Sequence, residues 1–430
     1  AIRAGEINLS VPSADSGAKR SSSSRTAGAE SVQTLIIRRE ETSPGETLHR
    51  ARWVVADSDT VFPDGYVVES GGVIREVGTG RPPAADRNVD RGDVALLPGL
   101  INAHVHLELT ALADQVPAEG GFEAWVRSLL AAREAAGEAA LRAGAEDGAA
   151  ALRDSGCAAV GEVTTLGISW EATAGAGLAG VWFREFLGGE IPPAEALSDQ
   201  TAGDLSASVA GHAPHTAAPE LLQALRKFAR ERWRPFSLHL AESEAEVEFL
   251  ATGRGDWADF LAERGIDVSG WGLPARSPLD HADRLGLLGP GTLLVHLLRA
   301  DAADFRRVQE RGAAVCVCPR SNQRLHGRLP DLDAMFRAGL RPALGTDGRA
   351  SVGSLNLFDE MAFAAERFPG IPPGMIFDMA TRNGADALGI GNRYGTLAPG
   401  RRAVFSISPV SATTSTLLLE RIVHDTAAAG

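Results

Sequence analysis

Lysine is almost missing from this chain of 430 residues: only Lys19 and Lys227 occur, and nearly all positive charge is arginine. Cysteine is scarce as well. Cys157, Cys316 and Cys318 do not make a disulfide framework, and a reducing cytoplasm is the default expectation. No apolar run approaches the ~20 residues of a membrane-spanning helix, and no signal-peptide pattern opens the chain. Positive charge is in deficit. The formal net charge of -13 argues against nucleic acid or an anionic membrane surface as partner. What remains, 44% hydrophobic and 23% charged residues, is ordinary for a soluble globular protein.

Four apolar runs end in metal-ligand chemistry. Leu96 to Ile101 leads into Asn102-Ala103-His104-Val105-His106, where two imidazoles at i and i+2 of a strand project from one face and can chelate a divalent metal. Phe236-Ser237-Leu238-His239-Leu240-Ala241-Glu242 puts His239 opposite its apolar residues, toward the interior of a closed parallel barrel. Thr292-Leu293-Leu294-Val295 ends in His296, and Pro342-Ala343-Leu344-Gly345-Thr346 ends in Asp347-Gly348. Polar residues at the C-terminal ends of successive strands are how a (β/α)8 barrel builds an active site, and the length suffices for such a barrel, typically ~250 residues, plus a smaller domain. Cys316-Val317-Cys318 also has a metal-ligand spacing, but Ala313 to Pro319 reads as a buried strand in which cysteine is a small hydrophobe.

Residues 1–32 are rich in Ser, Ala and Gly without an apolar period and read as a disordered or low-complexity tail. Residues 33–96 carry short alternating runs punctuated by Gly71-Gly72 and Pro82-Pro83, the pattern of a small β domain. Residues 97–394 alternate strand and helix signals. Phe122 to Ser155 reads as largely helical, Cys157 to Val163 and Val181 to Leu187 as strands, and Pro219 to Trp233 as a helix with proline in its first turn. Residues 395–430 return to strand-like runs, from Gly395 to Ile422, such as Ala403-Val404-Phe405-Ser406-Ile407.

The ordered set His104-x-His106, His239, His296 and Asp347 resembles the signature of the amidohydrolase superfamily, deaminase/chlorohydrolase branch. The resemblance implies an α/β fold, a (β/α)8 TIM-like barrel with a small β-sandwich built from both termini. It also implies a metal held by His104, His106, His239 and Asp347, with His296 beside the metal-bound hydroxide; in some relatives that histidine contacts metal directly. Binuclear members bridge two metals with a lysine at a strand 4 end. Neither Lys19 in the tail nor Lys227 in a helix suits that role, so one ion, Zn2+ or alternatively Fe2+, is expected. His239-Leu240-Ala241-Glu242 looks like the deaminase motif, in which Glu242 moves protons to a ring nitrogen and the leaving amine; Glu244, Glu246 and Glu248 read as a solvated helix face.

Glu123-Ala124-Trp125, His212 and Ser351 further resemble the substrate contacts of methylthioadenosine/S-adenosylhomocysteine deaminases, and the segments around Phe122 and Ser277-Pro278-Leu279 those of aminodeoxyfutalosine deaminases. Trp125 reads equally well as helix packing. His215 and His281 are not expected as ligands, and Arg276, Arg320 and Arg324 read as surface or structural cations. The implied activity is hydrolytic deamination of an adenine-type purine nucleoside. Another heterocycle, an amide or a C–Cl bond remains open, as does a non-catalytic protein of the same fold. The partner is a small-molecule substrate; the oligomeric state stays open, a homodimer being one option.

Overall fold

The first strand among the described residues, β1 (Glu46–Val55), pairs antiparallel with β2 (Val61–Ser70), and β2 with β3 (Val73–Thr79). Gly71 and Gly72 close the second hairpin at positive φ, 61° and 73°. A two-residue turn of this kind needs left-handed backbone at both positions, which glycine supplies without a steric penalty. The parallel neighbours of β1 are β4 (Arg87–Asp90) and β5 (Ala95–Pro98). The computed structural model describes residues 45–197, 199–263, 265–409 and 412–424; the expected tail 1–32 and the first residues of 33–96 lie outside them.

Gly99 joins β5 directly to the second sheet. A Cβ at Gly99 would collide with that of Ala158, so the close approach of the two sheets needs glycine there. The second sheet is the barrel: β6 (Leu100–Val105), β7 (Cys157–Thr164), β8 (Ala179–Phe186), β10 (Leu205–Gly211), β11 (Phe236–Leu240), β12 (Thr292–His296), β13 (Ala314–Val317) and β14 (Ala343–Leu344). Each consecutive pair is parallel, and only the short β9 (Thr201–Ala202) runs antiparallel, beside β10. The ends meet because the backbone N–H groups of Thr346 and Asp347 both donate to His104 O at 3.1 Å. Asn102 Nδ2 also donates to Thr346 Oγ1 at 2.8 Å. Val181, Phe183, Leu293, Val295, Cys316 and Cys318 pack with Leu388 and Ile390 in one core cluster. Both cysteines are therefore buried free thiols, as the strand reading expected.

The helix Pro219–Glu231 shows why the crossovers sit outside the barrel. Pro219 occupies its first turn, and Leu221, Leu222, Leu225, Phe228 and Ala229 form one buried stripe. It ends two residues before the expected Trp233, which takes φ 54° and is 95% exposed. Phe122–Asp154 is helical as expected but breaks at Gly137, φ 72° and ψ 165°.

After the barrel, β15 (Phe405–Ser408) returns to pair antiparallel with β5, so the small sheet draws on both ends of the chain. The strand-like reading of residues up to Ile422 needs correction: Ser415–His424 is a helix. Leu418, Leu419, Ile422 and Val423 bury at helical spacing against the helices Leu357–Arg367 and Pro373–Met379, which flank the barrel. Short apolar runs do not distinguish strand from helix, and here the barrel's outer layer supplied the partner. No helix among the described residues is long and apolar enough to cross a membrane.

Candidate active site

Strand ends converge on one mouth of the barrel. His104 and His106 stand at the end of β6 with ring centroids 4.7 Å apart, and His239 of β11 lies 4.9 Å from His104. The Nε2 atoms of His104 and His239 approach to 3.3 Å. Asp347 Oδ1 is 3.7 Å from His104 Nε2 and 3.6 Å from His106 Nε2. The outer ring nitrogens fix the tautomers. His106 Nδ1 faces Val163 O and His239 Nδ1 faces His212 O, each at 2.9 Å. A carbonyl only accepts, so both Nδ1 atoms carry the proton and both Nε2 lone pairs point inward. Burial pushes the His104 imidazole down to about 3 and lowers His239 as well, keeping them neutral. Burial alone would raise the Asp347 carboxyl, but the facing imidazoles of His104, His106 and His296 hold it well below the usual range. The ring nitrogens of His104, His106 and His239 and the Asp347 carboxylate oxygen face one another, His104 Nδ1 being buried without a partner among the described residues, and three nitrogens and an oxygen suit a divalent metal. This donor set fits the metal that the four strand-end residues implied.

The supports come largely from one helix, Pro319–His326, which follows β13. Ser321 Oγ donates to Asp347 Oδ2 at 2.5 Å. Asn322 Nδ2 donates to His296 Nδ1 at 2.9 Å. With the amide in this orientation His296 Nδ1 accepts and Nε2 carries the proton toward Glu242. His326 Nε2 reaches Glu242 Oε1 at 3.0 Å, and His296 Nε2 is 3.6 Å from the same oxygen. Burial would raise the Glu242 carboxyl, but the two histidines outweigh it and hold it down. Ala241, His296 and Asp347 take φ of 53°, 78° and 62°. Left-handed backbone at non-glycine residues costs of order 1–3 kcal/mol and clusters at functional sites.

Glu246 corrects the expectation of a solvated helix face. Glu244 and Glu248 are exposed, but Glu246 is fully buried. Its carboxylate accepts the backbone N–H of Ala241 at 2.9 Å and of Glu242 at 2.7 Å. Ser243 caps the helix by accepting from Glu246 N, so Ser243-Glu244-Ala245-Glu246 is a capping-box spacing whose glutamate reaches back further than usual. That spacing was the signal available in the sequence. Glu246 thereby holds the turn that aims Glu242. Glu246→Ala should orphan two buried N–H groups, cost about 1–3 kcal/mol for each in chemical denaturation, and lower kcat without loss of metal. Unchanged stability and turnover would refute this role.

The remaining candidates divide. His212 lies beside His239, ring centroids 5.1 Å apart, with Nδ1 held by Thr216 Oγ1 at 2.6 Å. Ser351 sits 3.4 Å from Asp347 Oδ2 but donates to Gly348 O. Trp125 packs among Leu109, Leu112, Leu141, Ile168 and Leu325, so helix packing accounts for its ring. Glu123 is half-buried on the same helical turn and makes no hydrogen bond or ion pair among the described residues. Phe122, one residue away, packs against His326 with ring centroids 4.5 Å apart and so links this turn to Glu242. His215 and His281 are buried outside the cluster of donors.

Sequence reasoning missed Glu185 at the end of β8. Its Oε1 lies 3.6 Å from His239 Nδ1, and Glu185, His212 and His239 form a second compact trio. Burial raises Glu185, but His212, His239 and His106 bring it down to about 2. On this side His239 presents Nδ1, already committed to His212 O, so a second ion there would have to break that bond. Lys227 is exposed and pairs with Glu231, and no lysine lies in the barrel interior among the described residues.

Residues 95–427 match the amidohydrolase family. The 5-methylthioadenosine/S-adenosylhomocysteine deaminase of Syntrophobacter fumaroxidans is 31% identical over 370 residues, covering 80% of this chain and 79% of that protein. The aminodeoxyfutalosine deaminase of Deinococcus radiodurans is 28% identical over 347 residues, covering 76% of this chain and 80% of that protein. The crystal structure of an adenosine deaminase from Xanthomonas campestris with bound zinc superposes with a TM-score of 0.72 at 26% identity, over 88% of each chain.

Proposed function

We propose that this chain, which belongs to the amidohydrolase family, hydrolyses the 6-amino group of an adenine-type purine nucleoside and releases ammonia. One juxtaposition carries the reading: four inward metal donors, with Glu242 three residues beyond the ligand His239, at one mouth of the barrel. The names of the relatives, deaminases of methylthioadenosine and of aminodeoxyfutalosine, support the substrate class.

His104, His106, His239 and Asp347 would hold one divalent ion, for which zinc is the natural choice with these donors and iron(II) the alternative. When bound, the ion lowers the pKa of a water from about 15.7 to about 7, providing a nucleophile at neutral pH. The protein supplies the proton traffic. One water proton passes through the Glu242 carboxylate to the ring nitrogen next to C6. The second leaves through Asp347 and reaches the departing amine, so C6–O forms, C6–N breaks and one ammonia leaves for one water consumed. His296 donates Nε2–H to the group under attack. Ser321 keeps the Asp347 carboxylate oriented through Oδ2.

Glu123, His212 and Ser351 are the proposed substrate contacts, while Trp125, sequestered in helix packing, would hold the turn that carries Glu123. The uncommitted carboxylate of Glu123 suits ribose hydroxyls, and His212 keeps Nε2 for the nucleoside because Thr216 holds Nδ1. A ribonucleoside should therefore exceed its 2′,3′-dideoxy analogue in kcat/KM by about 10-fold or more, because the analogue leaves the Glu123 acceptor, enclosed by the bound substrate, unpaired. Glu123→Ala should erase that preference. The assay is ammonia release, followed by the absorbance change as adenine becomes hypoxanthine. Metal-loaded enzyme that ignores every adenine nucleoside while hydrolysing another heterocycle or an amide would overturn the substrate reading.

A further inference from the structure

We infer that His326 is a positioning residue for the proton-transfer carboxylate: it holds Oε1 of Glu242, leaving Oε2 as the oxygen that exchanges protons with substrate. The inference rests on the reading of Glu242 as the proton-transfer group. His326 is 84 residues from Glu242 in sequence, yet its Nε2 meets Oε1 at 3.0 Å. Its side chain is 4% exposed, and that of Glu242 10%. The ring is fixed on its other side by Phe122, at 4.5 Å and 42°. His296 Nε2 lies 3.6 Å from the same oxygen. One imidazole hydrogen bond thus anchors Oε1, with the His296 ring close beside it. The other oxygen has no hydrogen bond among the described residues.

An ionised carboxylate can only accept, and a bond from a donor to a charged oxygen is about twice as strong as a neutral one. Anchoring Oε1 therefore fixes the rotation of the whole group and the direction in which Oε2 points. General acid–base transfer is sensitive to that direction, because the oxygen must stay within hydrogen-bond reach of both the attacking water and the ring nitrogen. The same short helix orders Asp347 through Ser321, His296 through Asn322, and Glu242 through His326. Phe122 couples the third of these to the turn that carries Glu123. Substrate seated against that turn would press on the ring that aims the carboxylate.

The test uses metal-loaded enzyme and whichever substrate the wild type turns over best. His326→Leu removes the donor but keeps an apolar surface against Phe122; His326→Gln retains an N–H of similar reach. We expect His326→Leu to lower kcat about 10- to 100-fold, the scale of a hydrogen bond to a charged group, with KM and metal content little changed. His326→Gln should recover most of the loss. In a Glu242→Gln background, which cannot transfer the proton, the leucine substitution should cost less than about 2-fold more, because the two act through one group. Equal losses in both backgrounds, or a leucine variant with wild-type kcat, would overturn the role of His326. Near-normal turnover of Glu242→Gln alone would instead remove Glu242 from the mechanism, and a wild type active only on non-adenine compounds would remove the substrate proposal while leaving this cycle measurable.

Discussion

Glu242→Gln is expected to keep the fold and the bound metal and to lose at least ~100-fold in kcat, the lower range of general acid–base contributions. Glutamine is isosteric and can still present a carbonyl oxygen to His326 and His296, so the buried surroundings stay satisfied. What it cannot do is take up and return a proton. KM should change far less than kcat, since the lost interaction exists only in the transition state. Steady-state kinetics on the best nucleoside, with elemental analysis of the same preparation, reads both halves of the expectation. Turnover within about threefold of wild type would make Glu242 a structural residue, a fraction far above what loss of an acid–base group leaves.

His106→Ala should take metal and activity away together. In the wild type we expect about one ion per chain, because four donors converge on one point and no lysine is available to bridge a second. His106 supplies one of the inward Nε2 lone pairs, oriented by its bond to Val163 O. Without it, only His104, His239 and Asp347 would remain to hold an ion, which would dissociate more easily. The purified variant should fall from about one ion toward none, measured after metal-replete expression, and turnover should fall in proportion. Two stoichiometric ions in the wild type would contradict the one-ion site. Retention of both metal and activity in the variant would remove His106 from the ligands.

The site was legible where chemistry and strand alternation coincide. His104 and His106, at i and i+2, had to share a face, and the apolar run before them had to be a buried strand. Glu242 was legible through its spacing from His239. Elsewhere the same residue types carried opposite roles without a local difference. Glu246 stands between Glu244 and Glu248, yet it alone is fully buried, because Ser243 starts the helix there and Glu246 faces the two N–H groups of the Ala241–Glu242 turn. The run Leu417-Leu418-Leu419 fits a strand as well as a helix; the flank of the barrel made it a helix. Glu185 and His326 carried no motif at all, since their partners lie on other strands and helices.

The sequence by itself determined the barrel, the strand ends that bear the donors and the order in which they close, because period-two alternation and apolar runs are local properties that the chain cannot rearrange. Tertiary structure decided the protonation states and the supports. Which nitrogen of His106, His239 or His296 keeps its proton depends on a carbonyl or an amide from another element: Val163, His212 and Asn322 respectively. Burial decided which carboxylates stay ionised, since the same side chain rises or falls according to whether imidazoles or only apolar walls surround it. Those partners are far apart in the chain and meet only when the parallel sheet closes, so no window of sequence contains both halves of the interaction.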